Sequence, residues 1–352
     1  MTGNNSWGSR LESVAAEAGT VLCVGIDPLL EAFPRELRPS GGVEDVSGTV
    51  TIVEAMLDAC AAHGITPAAV KPNIGYFAAC DQPGNRAAPV AVRYAGMEAL
   101  AGVMDLLRER LPPVPIILDA KRADIARSSD NYAREAFEVW HADAVTVSPW
   151  MGADSVMPFV THARAAAPAP RGVYLLARTS NPGGALLQNR VVDGVPLFEH
   201  VLRAIPEWGS DVLGAVVGAT APVELSRAAA MAVSDPVGSG PVAAGPAASV
   251  PAGLGETTAS PVAPFLIPGV GRQGAGAAET LARLVAAGYP VGRARINASS
   301  GVLFPWAGGA SGAASGTASD AASRVPDDWR DQIAAALVRL HGACAISSSG
   351  AP

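Results

Sequence analysis

Short apolar runs recur along the chain, separated by longer stretches in which apolar positions return every three or four residues. The runs predict strands at 21–26, 68–71, 116–119, 144–148, 173–177, 214–218, 264–267 and 294–298. The longer stretches predict helices at 48–62, 90–110, 128–140, 154–166, 197–208, 222–232, 276–287 and 327–341. Strand and helix in strict alternation are the signature of repeated βα units around a parallel sheet. Eight such units with no second set of elements predict a single α/β domain over residues 1–352, a (β/α)8 (TIM) barrel. An open doubly wound sheet is the alternative, but no G-x-G-x-x-G follows the first strand.

Two stretches break the rhythm. Residues 228–264 are dominated by Ala, Gly, Pro, Ser and Val, and residues 307–323 by Gly, Ala and Ser. Such compositions behave as flexible linkers and offer almost nothing to contact a ligand, so both read as low-complexity insertions at the barrel surface, the second just before the last helix. The 49% hydrophobic and 16% charged residues leave ample material for one large core. A formal net charge of −7 without any basic cluster argues against a nucleic-acid partner. Cys23, Cys60, Cys80 and Cys344 lack C-x-x-C spacing, so neither a disulfide framework nor a zinc site is expected. Residues 1–10 are polar, unlike a signal peptide, and no uninterrupted apolar stretch is long enough for a bilayer. The expectation is a soluble cytoplasmic protein with no membrane partner.

Candidate chemistry gathers where the first three strands end. The first ends in Gly25-Ile26-Asp27, the second in Val70-Lys71-Pro72-Asn73, and the third continues as Leu118-Asp119-Ala120-Lys121-Arg122-Ala123-Asp124-Ile125. Alternation puts Asp119 and Lys121 on one side of the strand, and Asp124 follows where the chain has turned off it. One D-x-K alone reads as a surface ion pair contributing about 0–1 kcal/mol. Three successive strands ending in acid, base and acid-base-acid read as a site, at the end where α/β barrels keep theirs. Carboxylates beside a lysine hold it charged, which leaves a proton ready for a developing carbanion. His63, His141, His162, His200 and His341 show no H-E-x-x-H spacing and no G-x-S-x-G is present, so no metal site is expected.

With this row in place, the chain resembles the orotidine 5′-phosphate decarboxylases, in the branch whose third strand reads like D-A-K-R-x-D-I. The similarity continues through Thr146-Val147-Ser148-Pro149-Trp150-Met151-Gly152, Ala177-Arg178-Thr179-Ser180-Asn181-Pro182-Gly183, Val216-Val217-Gly218-Ala219-Thr220 and Pro268-Gly269-Val270-Gly271-Arg272-Gln273-Gly274. It ends near Asn297-Ala298-Ser299-Ser300-Gly301, covering most of 21–303 apart from one insertion. The resemblance implies decarboxylation of orotidine 5′-phosphate to UMP and CO2 in pyrimidine synthesis, by a homodimer with no cofactor. It implies that Lys121 protonates C6 of the pyrimidine and that Asp119 lies beside the departing carboxylate. Asp124, with Ser128, would reach into the partner subunit's site. Asp27 and Lys71 would hold the ribose hydroxyls, Lys71 also completing the charge row, and Ser148 the pyrimidine edge. Gln273 and the Gly271 backbone would grip the phosphate, with Ser300 and Gly301 at the same end.

The chain departs from the family at one place that matters. An S-R-G pattern with a phosphate-pairing arginine is usual after the eighth strand, and this chain has Ser299-Ser300-Gly301. Arg272 is the obvious replacement cation and Arg295 a second. Ala123 stands where glycine is common and Ser128 where threonine is common. Two alternatives remain: a non-catalytic nucleotide-binding barrel, and a magnesium-dependent sugar-phosphate decarboxylase sharing D-x-K-x-x-D. The latter group lacks the T-S-N-P and S-P-W-M-G contexts.

Overall fold

The structure is a computed structural model that describes residues 6–38, 46–166, 171–234, 262–308 and 325–346. Eight parallel strands form one sheet: β1 (Leu22–Ile26), β2 (Ala69–Pro72), β3 (Ile117–Arg122), β4 (Ala144–Val147), β5 (Gly172–Arg178), β6 (Leu213–Val217), β7 (Phe265–Ile267) and β8 (Ala294–Ala298). Each pairs with its sequence neighbour, and β8 returns to β1 in the register Leu22–Ile296, Cys23–Asn297. Bridges Val70–Ile116 and Asn73–Asp119 join β2 to β3 and close the ring. The expected (β/α)8 barrel is the observed fold.

Alternation along the strands explains why the ring is stable and where it is reactive. Leu22, Val24 and Ile26 of β1, Val145 and Val147 of β4, and Phe265 and Ile267 of β7 point outward into the shell shared with the helices. The intervening residues point inward and form a second apolar cluster of Cys23, Ala69, Ile117, Ala144, Tyr174, Val216 and Leu266, which runs from the floor of the barrel up to the strand ends. Helix α1 (Trp7–Ala18) lies against that cluster, its fully buried Trp7 and Leu11 sealing the barrel floor. The Ser6 hydroxyl caps α1 by accepting the Ser9 N–H at 3.2 Å.

The outer ring consists of α2 (Gly48–His63), α3 (Ala95–Arg110), α4 (Ala126–Arg134), α5 (Ala153–Ala165), α6 (Leu197–Gly209), α7 (Pro222–Val233), α8 (Ala277–Ala286) and α9 (Trp329–Ala343). The helix expected over 90–110 is broken at Tyr94, because the Asp81 carboxylate accepts the N–H groups of Gly96 and Met97 at 2.8 and 3.2 Å and so starts a new helix. The helix expected from 128 starts at Ala126 and widens into a π-turn over Glu135–Val139. The boundary set for the first insertion also needs correction. Helix α7 runs on through Val233, with Ala228 and Ala229 fully buried, because an alanine-rich stretch is a strong helix former as well as a low-complexity one. Most of the rest of that insertion, 235–261, and all but the start of the second, 309–323, lie outside the described residues.

Candidate active site

The C-terminal ends of the strands surround a cleft of about 740 Å³. Asp27 enters it from the end of β1, Lys71 from β2, Asp119 and Lys121 from β3, and Asn297 and Ser299 from β8. Leu176, Val216 and Leu266, from β5 to β7, make an apolar wall on the opposite side. Gly25 leaves room for this packing, since a Cβ there would lie 1.9 Å from the Ser299 hydroxyl.

Asp119 is the centre of the charged side. It is only 7% exposed, and each of its oxygens meets an ammonium: Lys71 Nζ lies 2.8 Å from Oδ2 and Lys121 Nζ 2.7 Å from Oδ1. Burial alone would raise its pKa, but the two lysines outweigh that and hold it well below the usual carboxylate range. Burial likewise opposes the charge on Lys71, yet Asp119 and Asp27, the latter at 4.0 Å, keep its pKa above that of an ordinary lysine. Beneath the row, burial pushes the Cys23 thiol up to about 12, which removes it as a nucleophile at neutral pH.

Strand β3 is irregular where it carries this chemistry. Lys121 has a φ of +47°, and the ladder to β4 shifts register between Leu118 and Arg122. A side chain in the left-handed region costs about 1–2 kcal/mol, the kind of local strain that persists where surrounding contacts enforce it. Here Arg122 anchors the strand end by donating to both carboxylate oxygens of Glu135, at 2.9 and 2.7 Å.

The loop after β7 forms the other end of the cleft, where Arg272, Gln273 and Ser300 line the wall. Gly269, with φ +102° and little room for a Cβ, lets the loop turn sharply at its start. Of the residues expected at the site, Asp27, Lys71, Asp119, Lys121, Arg272, Gln273 and Ser300 come together. Gly271 and Gly301 do not line the cleft, and the Gly271 N–H bonds to the Ala275 carbonyl at 3.1 Å. Ser148 is half-buried beside the strand ends, its N–H donating to the Arg122 carbonyl at 2.8 Å. Asp124 and Ser128 also stay outside the cleft, the first half-buried and the second exposed.

Arg295 is not the replacement cation. It is fully buried at the opposite end of the barrel, donating to the carbonyls of Ala68, Gly292, Ala294 and Leu11 at 2.7–2.9 Å. Burial pulls its pKa down to about 10, still charged at neutral pH. Arg295→Ala is therefore expected to destabilise the fold by roughly 3–5 kcal/mol, since buried carbonyls left without a donor cost about 1–3 kcal/mol each and the lost side chain leaves a cavity. Denaturant unfolding measures this, and an unchanged midpoint would refute it.

Thr146, Asn297, Ser299 and the Thr179-Ser180-Asn181 turn line the cleft without having been singled out as site residues. Alternation carried the signal for Thr146, which shares a strand face with Ser148 two positions on. Among the described residues no three of His, Cys, Asp or Glu cluster as a metal site, and no helix is long and apolar enough to cross a membrane.

Fold and site together define a (β/α)8-barrel enzyme with a row of aspartates and lysines at the first three strand ends. Residues 20–278 match the family model described as Orotidine 5′-phosphate decarboxylase / HUMPS family, and the chain belongs to that family. It is 38% identical over 267 residues to orotidine 5′-phosphate decarboxylase of Janthinobacterium sp. (strain Marseille), covering 75% of this chain and 78% of that one. It is 39% identical over 303 residues to the Paracidovorax citrulli enzyme of the same name, covering 84% and 88%. The solved structure of Leishmania donovani OMP decarboxylase superimposes with a TM-score of 0.58 at 26% identity, over 93% of this chain and 98% of that one.

Proposed function

We propose that this chain decarboxylates orotidine 5′-phosphate to UMP and CO2 in pyrimidine synthesis, with Lys121 as proton donor. The observation that carries the residue assignment is Asp119 held between two ammoniums at the strand ends. In the reaction the bond from C6 to the carboxylate carbon breaks, CO2 leaves, and the electron pair stays on C6. Lys121 Nζ gives a proton to that carbon and regains one from solvent. Asp119, fixed as a carboxylate, faces the substrate carboxylate, so the interaction improves as CO2 departs. That is differential binding of the transition state, sustained by binding energy from the rest of the nucleotide. Asp27 and Lys71 hold the ribose hydroxyls, and Gln273, Ser300 and Arg272 the phosphate end.

Loss of orotidine 5′-phosphate absorbance with purified protein, with and without a chelator, tests this reading. Turnover indifferent to the chelator is expected. No turnover would favour the non-catalytic barrel, and turnover abolished by the chelator would defeat the cofactor-free mechanism.

The site is shared between two subunits in this proposal. Asp124 and Ser128 lie outside their own cleft, and the loops after β3 and β4 expose Ile125, Met151 and, at 72%, Trp150. Apolar exposure of that kind beside a charged residue suits a subunit interface. Mixing Lys121→Ala with Asp124→Ala protein should restore activity, because a mixed dimer has one site with neither lesion. A dead mixture, with subunit exchange demonstrated, would sink the shared site.

A further inference from the structure

Thr146 sits on β4, 1% exposed, where its hydroxyl meets three groups of β3 at once. Oγ1 accepts the N–H of Ala120 at 3.1 Å and that of Lys121 at 3.0 Å, and donates to Asp119 Oδ1 at 2.9 Å. A hydroxyl has one proton and two lone pairs, and a backbone amide can only donate. Both lone pairs are therefore taken, and the proton has only Asp119 left to bond. The three contacts span the stretch where the β3–β4 ladder shifts register, between Leu118 and Arg122, so the side chain accepts amides that the regular ladder leaves without a partner. The same stretch contains Lys121 at its left-handed φ. One hydroxyl thus fixes the carboxylate plane of Asp119 and the backbone from which Lys121 projects.

We propose that Thr146 is a positioning residue for the decarboxylation, acting through Asp119 and Lys121 and not as a proton carrier itself. The proposal rests on the reading of Lys121 as proton donor. Small displacements of a reacting group cost rate more than binding. Thr146→Val keeps the branched shape and deletes the hydroxyl. It is expected to lower kcat by about 10- to 100-fold, with KM and UMP affinity within about threefold of wild type. It should also move the acidic limb of the pH profile upward, since Asp119 loses a donor that favours its charged form. Thr146→Ser should recover most of kcat and return the limb.

Steady-state kinetics over pH, UMP titration and thermal melts on both variants read these effects. If Thr146→Val does not fold, Thr146→Ala removes the hydroxyl without crowding and should show the same split. A melting shift with kcat and pH profile unchanged would overturn the proposal, as would Thr146→Ser no better than Thr146→Val. Lys121→Ala measured alongside separates the two ideas, because activity surviving there defeats the donor assignment itself.

Discussion

Lys121→Ala is expected to lose at least about three orders of magnitude in kcat, within the range for removing a general acid, while the fold stays intact. The stability half of this expectation comes from geometry. The Lys121 side chain is 51% exposed, and Asp119 keeps its second ammonium when Lys121 is gone, since Lys71 remains 2.8 Å away. A half-exposed ion pair contributes about 0–1 kcal/mol, so the melting temperature should move by only a few degrees. The catalytic half follows from position, because Lys121 is the ammonium of the row on the open side of the cleft. Decarboxylation and melting measured on one preparation check both. Substantial residual turnover, at protein concentrations that exclude contamination, would end the assignment.

Arg272→Ala is expected to reduce kcat/KM for orotidine 5′-phosphate by roughly 2–4 kcal/mol, about 30- to 1000-fold. The two lysines of the cleft are committed to Asp119, whereas Arg272 lines the wall exposed, with no ion pair among the described residues. Its charge is close enough to favour the ionised form of the Tyr76 phenol, although burial dominates and raises that pKa. With serine at 300 and Arg295 locked in the barrel floor, Arg272 is the cation available at the Gly-rich end of the cleft. The loss should be much smaller for the nucleoside that lacks the phosphate. Equal losses on both substrates would show that Arg272 does not act on the phosphate.

Much of the site was legible because strand ends follow a two-residue rule. Asp27, Lys71 and Asp119 each close an apolar run, and a barrel brings such residues to one mouth. The rule is blind to a register shift, so it brings Lys121 to the cleft but says nothing of its left-handed backbone. The same rule offered Thr146 and Ser148 on one face of β4, and choosing the later residue missed the hydroxyl that bonds Asp119. Helix α1 carries Trp7, Leu11, Val14 and Ala15 at helical spacing, a pattern that the polar composition of residues 1–10 masks. The destination of Arg295 follows from its place as the second residue of the strand predicted over 294–298, at the end away from the mouth. Four backbone carbonyls hold it there, which composition does not reveal.

The pairing of β1 with β8 has a consequence for how the chain reaches this state. Leu22 finds its partner Ile296 only after nearly all the βα units have been made, and Thr20 bridges to Ala345 beyond the last helix. Until then β1 has one open edge, and the inward face that will carry Asp27 has no opposite wall. Contacts so distant in sequence come at a high loop-closure cost, which slows folding. The catalytic row is thus assembled from the earliest strands but completed by the latest. During synthesis, the first three strands emerge with their acids and lysines exposed to water, and they become a low-dielectric site only at the final closure.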